Sequence, residues 1–159
     1  MTSRQLFLKV AAVEQGPTER VIKAINLKKW DHQPDPKTRT AKSLAHQISV
    51  QPMAIAKIVK ARKMDMGKMP EYKNTAAMLK DLKAGFAAIK KEVSKIDDKV
   101  WENTKIVMKF PGGEWKDTLA MMSWGFLFDL IHHRGQLSTY LRVMGGKVPS
   151  IYGPSGDSK

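Results

Sequence analysis

Residues 75–96 constrain the fold more than any other stretch, because Leu79, Leu82, Phe86, Ile89, Val93 and Ile96 alternate spacings of three and four, the period of a helix with one apolar stripe. Such a stripe must be covered by others like it. Lys80, Lys83, Lys90, Lys91 and Lys95 mark its wet side, Asn74 or Thr75 can cap its start, and Gly85 is either a tolerated cost or a close packing point. A helix over 3–27 has Leu6, Phe7, Val10, Val21, Ile22 and Ile25 inside and is expected to bend or restart at Gly16-Pro17. A helix over 40–63 carries Leu44, Ile48, Ile55 and Val59, with a kink near Ser49 or a break expected from Pro52. The last helix, over 116–144, carries Met122, Phe126, Leu130, Leu137, Leu141 and Met144 and stops at Gly145-Gly146. Between the third and fourth helices, the segment 104–115 joins a β-branched and aromatic run to Pro-Gly-Gly, which predicts a short hairpin. Lys147 onward predicts an extended cover or a frayed end. Four apolar stripes that must cover one another predict an all-α four-helix bundle, one domain over 1–159.

Composition narrows the chemistry. The chain has no cysteine, which removes disulfides, thiolate metal ligands and a cysteine nucleophile together. Any metal must therefore be held by His, Asp or Glu. No segment approaches the length of apolar sequence a membrane span needs, and the N-terminal residues lack a signal-peptide pattern, so a cytoplasmic protein with no membrane partner is expected. Lys and Arg number 28 against 15 acidic residues, a formal charge of +13. That charge predicts weak, salt-sensitive attraction to polyanions and no specific nucleic-acid recognition. Basic residues are dense only between Lys57 and Lys68, where Lys57, Lys60, Arg62, Lys63 and Lys68 face Asp65 alone, a candidate anion-binding rim. No phosphate loop, HExxH pair or GxSxG elbow is present.

On the last helix, Asp129 and His133 stand four residues apart and share a face beside the apolar stripe. A carboxylate and an imidazole directed at a core need a cation, a donor, a metal or water. His46, in SLAHQIS of the second helix, is a candidate third member, since facing helices of a bundle build metal sites from inward side chains. The alternatives are a core histidine satisfied by a carbonyl and an ordinary ion pair of Asp129 with Arg134 or Arg142. His132 projects about 100° away from His133 and belongs to the surface or to a supporting position. Gln136 and Tyr140, on neighbouring turns, are candidates for binding a small molecule or for simple packing. Arg134 is better placed to pair with a carboxylate or a helix end than with substrate, and His32 carries no assignment.

The stretch LFDLIHHRGQLSTYLRVMGGKVPSIYGPSGD resembles the C-terminal signature of the DinB-like (DinB/YfiT) superfamily through HHRGQL, YLR, GG-VP and YGPS. WDHQPDPKTRTAKSLAHQI resembles the approach to that family's second helix, and FPGGEW the turn before its fourth. The family is distinct from the DNA polymerase of similar name. The resemblance implies a four-helix bundle, a homodimer, and a divalent metal (Zn, Ni, Fe or Mn) held by one histidine of the second helix and two of the fourth. By position those ligands fall on His46, Asp129 and His133, so an aspartate stands where the family has a histidine. Two imidazoles and a carboxylate still form an open-sided site that can activate a bound water or thiol. The resemblance thus implies a metal-dependent enzyme acting on a small molecule, a thiol-transferase or hydrolase, with a low-molecular-weight thiol among its partners. A non-catalytic stress-response or ligand-binding bundle with a degenerate metal site is the alternative. A non-specific nucleic-acid binder, supported by charge alone, is the third.

Overall fold

The structure, a computed structural model, describes residues 1–64 and 70–158. Helix α1 spans Ser3–Lys23, α2 Ala41–Ala61, α3 Thr75–Ser94, α4 Asp98–Asn103 and α5 Leu119–Val143, with strands β1 Lys105–Phe110 and β2 Gly113–Thr118 between the last two. Both α1 and α2 pack against α3 and α5. The order around the resulting four-helix bundle is therefore α1, α3, α2, α5.

Local chemistry sets the boundaries. Thr2, Thr40, Asn74 and Thr118 cap α1, α2, α3 and α5 by accepting from backbone N–H groups of the first turn. The α5 helix ends in a paired cap, in which Gly145 takes a positive φ of 78° and the Gly146 N–H reaches the Leu141 carbonyl at 2.8 Å. It begins at Leu119 rather than Lys116, because Lys116, Asp117 and Thr118 pair with Val107, Ile106 and Lys105 as the end of β2. The hairpin turns at Pro111-Gly112, where Gly112 supplies a φ of 91°. Trp115 docks the hairpin onto α5. Its ring lies where a Cβ on Gly125 would stand only 2.3 Å from Cη2, and it stacks on Phe126 with centroids 6.2 Å apart.

Both helix-interior prolines are absorbed without ending their helices. α1 runs unbroken through Pro17 and stops at Lys23 rather than Leu27, while residues 27–29 form a separate 3-10 turn. Pro17 and Thr18 are buried, and the Thr18 hydroxyl donates back to the Glu14 carbonyl at 2.7 Å. α2 likewise continues through Pro52, whose ring lies against Gly85 of α3. A Cβ at Gly85 would meet Pro52 Cβ at 2.8 Å and Met53 N at 2.6 Å, so the glycine permits the close approach of the two helices. A helix-interior proline costs roughly 3 kcal/mol. Burial along both flanking helices offsets it.

The stripes of α2 and α5 are buried as expected. In α1, Phe7 is buried as expected, touching Trp101 of α4 at 5.0 Å between centroids, but Leu6 is exposed rather than inside. The tail after Gly146 covers the bundle and is tied to it. Asp157 accepts from Arg142 Nη2 at 2.8 Å and from the Val148 N–H at 3.0 Å, and Arg20 donates to the Ser150 carbonyl at 2.8 Å. Lys57, Lys60, Arg62 and Lys63 are exposed at the C-terminal end of α2, where positive charge suits the helix dipole. Asp65 and Lys68 of the candidate rim lie outside the described residues. Among the described residues no helix is long and apolar enough to cross a membrane.

Candidate functional site

Asp129 and His133 meet as their spacing predicts, with Asp129 Oδ1 3.2 Å from His133 Nε2. The partners supplied by α2 are Gln47 and Gln51, also four residues apart. Each amide Nε2 donates to Asp129 Oδ2 at 2.7 Å. Gln51 is buried, and its Nε2 also donates to the Phe126 carbonyl at 2.8 Å, which fixes the orientation of the amide. On the other side of the imidazole, Nδ1 lies 2.7 Å from Gln136 Oε1. Gln136 Oε1 and Asp129 Oδ1 are both acceptors, so each ring nitrogen faces a group to which an N–H there can donate. Arg39, the residue before the α2 cap, completes the group. Its Nη1 donates to Gln47 Oε1 and stands 3.5 Å from His133 Nε2. The Asp129 side chain is 43% exposed against 11% for His133, so the cluster opens to solvent on the carboxylate side.

His46 is not part of this group. One residue of α2 separates it from Gln47, a rotation of about 100°, and its ring stands edge-on to Trp30 and Tyr72 at 6.0 and 5.1 Å between centroids. Its Nε2 is buried without a hydrogen-bond partner, in a cleft of about 610 Å³ that Lys42, Glu71 and Lys73 also line. Burial, reinforced by Lys42 and opposed by Glu71, holds the His46 imidazole below its ordinary pKa and favours the neutral ring. Among the described residues no group of three or more His, Cys, Asp or Glu side chains is gathered to hold a metal ion. The donors that do converge do not fit one. Asp129 Oδ2 is occupied by two amide N–H groups, and a guanidinium stands beside the imidazole nitrogen.

The remaining candidates divide. Gln136 touches His133, whereas Tyr140 stands against His32, edge-on at 5.7 Å between centroids. His132 is exposed. Arg134 forms a separate, closed network with α1 and the tail. Its Nη1 donates to Glu14 Oε2 at 2.5 Å and to Thr18 Oγ1 at 3.3 Å, and its Nη2 to the Tyr152 hydroxyl at 2.6 Å. The Tyr152 hydroxyl in turn lies 2.9 Å from both Glu14 carboxylate oxygens. Sequence reasoning overlooked Gln47, Gln51 and Arg39. The signal available for the two glutamines was their four-residue spacing on an apolar helix, the same spacing that drew attention to Asp129 and His133.

Comparison with known proteins places the fold. The sequence profile of the DinB family matches residues 1–158. A DinB-like protein from Bacillus cereus shares 19% identity and a TM-score of 0.70, over 92% of this chain and 95% of that one. A DinB-like protein from Bacillus subtilis shares 14% identity and a TM-score of 0.67, over 97% of this chain and 99% of that one. A mycothiol-dependent maleylpyruvate isomerase is similar at 10% identity and a TM-score of 0.56, over 100% of this chain and 67% of that one. At these identities the likeness is one of fold. No curated protein matches the chain.

Proposed function

The chain belongs to the DinB family, and on that premise we propose that it binds a small polar molecule at the Asp129–His133 cluster without a resident metal ion. The Asp129 carboxylate carries this reading. It is 43% exposed, yet Gln47 and Gln51 hold Oδ2 and His133 faces Oδ1. A half-exposed carboxylate held in one orientation can accept directional hydrogen bonds from a ligand without first losing its own freedom. Beside it, the guanidinium of Arg39 supplies donors and the imidazole of His133 a group that can give or take a proton. Gln136 holds the ring's orientation through its 2.7 Å contact with Nδ1. A ligand that presents a donor to Asp129 and an acceptor to Arg39 matches this sequence of charges.

A divalent-metal enzyme working with a low-molecular-weight thiol is the second reading. The observation that favours it is the 3.2 Å between Asp129 Oδ1 and His133 Nε2, which is the separation of two ligands on one ion with bonds of about 2.0–2.2 Å. Elemental analysis of protein purified without chelator or affinity-tag metal exchange separates the two readings. Thermal denaturation in the presence of small carboxylic acids, amines and thiols then tests for the ligand. The expected result is no stoichiometric Zn, Ni, Fe or Mn, with a rise in melting temperature for at least one class that disappears in Asp129→Asn and His133→Ala. Stoichiometric metal lost in both variants would establish the second reading. A melting-temperature rise that both variants retain would also sink the proposal.

A further inference from the structure

We infer that Arg39 is a resident cation whose guanidinium stands beside the Asp129–His133 pair and sets the site's preference against divalent metals. The inference deepens the metal-free reading of that cluster and rests on it. Three atoms able to accept from a donor belong to this cluster of α2 and α5: Gln47 Oε1, Asp129 Oδ1 and His133 Nε2. The last two are 3.2 Å apart, a spacing that suits a shared ion. Beside them stands Arg39 Nη1, hydrogen-bonded to Gln47 Oε1 and 3.5 Å from His133 Nε2, without an ion pair to Asp129.

Two features fix the arrangement. Gln51 is buried and donates to both the Phe126 carbonyl and Asp129 Oδ2, so that carboxylate oxygen is committed and Oδ1 is the one turned toward the cluster's centre. Arg39 immediately precedes Thr40, whose side chain caps α2, so the arginine begins where the helix begins and lays its arm along the turns that lead to Gln47. The cation is thus carried by the same helix as the amide it binds. A divalent ion entering the cluster would have to displace the guanidinium or sit against a like charge, and either weakens its binding. Arg39 itself is exposed, so removing its side chain leaves the packed core untouched.

The test is calorimetric titration of zinc chloride, and separately of nickel chloride, into wild type, Arg39→Ala, Arg39→Lys and the Arg39→Ala/His133→Ala double variant, each checked for folding by circular dichroism. Wild type is expected to show no site-specific binding. Arg39→Ala should gain a saturable site at least about tenfold tighter than any wild-type binding, or 1.4 kcal/mol. Arg39→Lys should stay near wild type because it keeps the charge, and the double variant should lose the gained site. No gain in Arg39→Ala, or a gain that survives loss of His133, overturns the inference while leaving the metal-free reading intact. Stoichiometric binding by wild type that requires His133 and Asp129 overturns both.

Discussion

His133 and Arg134 are consecutive residues of α5, yet each anchors a polar cluster on a different side of the bundle, and the two clusters differ in how completely they are closed. Arg134 is 1% exposed and Glu14 5%, and Thr18 and Tyr152 complete a ring of donors and acceptors around their ion pair. In the other cluster His133 is buried but Asp129 is half-exposed, and the nearby guanidinium contacts Gln47 and the imidazole from an exposed residue on the rim. The closed ring joins α1, α5 and the tail, while the open one lies between α2 and α5 and keeps a side for a ligand. Charged residues in a helical core therefore do not mark function by themselves. Exposure of the carboxylate itself, buried for Glu14 and half-exposed for Asp129, is the distinguishing feature.

Substitutions can break this contrast. Arg134→Ala should have the largest effect, because it strands the Glu14 carboxylate in the core. Unpairing a buried charge costs about 3–5 kcal/mol, to be read from urea denaturation. Tyr152→Phe should cost about 1 kcal/mol through its lost hydrogen bonds, and it should also change the alkaline limb of stability. Burial, with the hydroxyl's bond to Glu14, raises the Tyr152 pKa above its ordinary 10.0, against the opposing pull of Arg134. Because the folded pKa is raised, this contribution is fully present below pH 10.0 and is lost as pH climbs through the folded value. Denaturation of wild type between neutral pH and pH 11 should accordingly steepen more than that of Tyr152→Phe. Asp129→Ala should be the mildest, below about 1 kcal/mol, because the carboxylate is half-exposed and the Gln51 amide keeps its bond to the Phe126 carbonyl. A loss comparable to that of Arg134→Ala would show the two clusters to be structurally alike.

What the sequence reveals depends on the range of the interaction. The stripes of α2, α3 and α5 and the Pro-Gly-Gly turn are readable because helix period and turn chemistry are local. The uninterrupted passage of α1 through Pro17 is not, since it depends on Thr18 and Pro17 being covered by other helices. α4 also went unread. It is a single short helix whose reason for existing is Trp101, fully buried against Phe7 of α1. The candidate site was half readable. Asp129 and His133 meet through helix spacing alone, whereas the choice of Gln47 over His46 depends on how α2 is rotated against α5. A shift of one position turns the facing side chain by about 100°, and that rotation is set by packing such as Pro52 on Gly85. Glu14 and Arg134 lie 120 residues apart, beyond any local pattern.

The ring around Glu14 also spans most of the sequence. During synthesis Glu14 precedes its charge partner by 120 residues and its tyrosine by 138. Closing so long a loop is entropically costly and slow. Until it closes, a nascent chain carries an ionised carboxylate on the same helix as Phe7, Val21 and Ile22, whose apolar surfaces lack their α5 and α4 partners. Burying that carboxylate unpaired is unfavourable. The full stability of the α1 packing therefore depends on side chains 120 and 138 positions further along the chain.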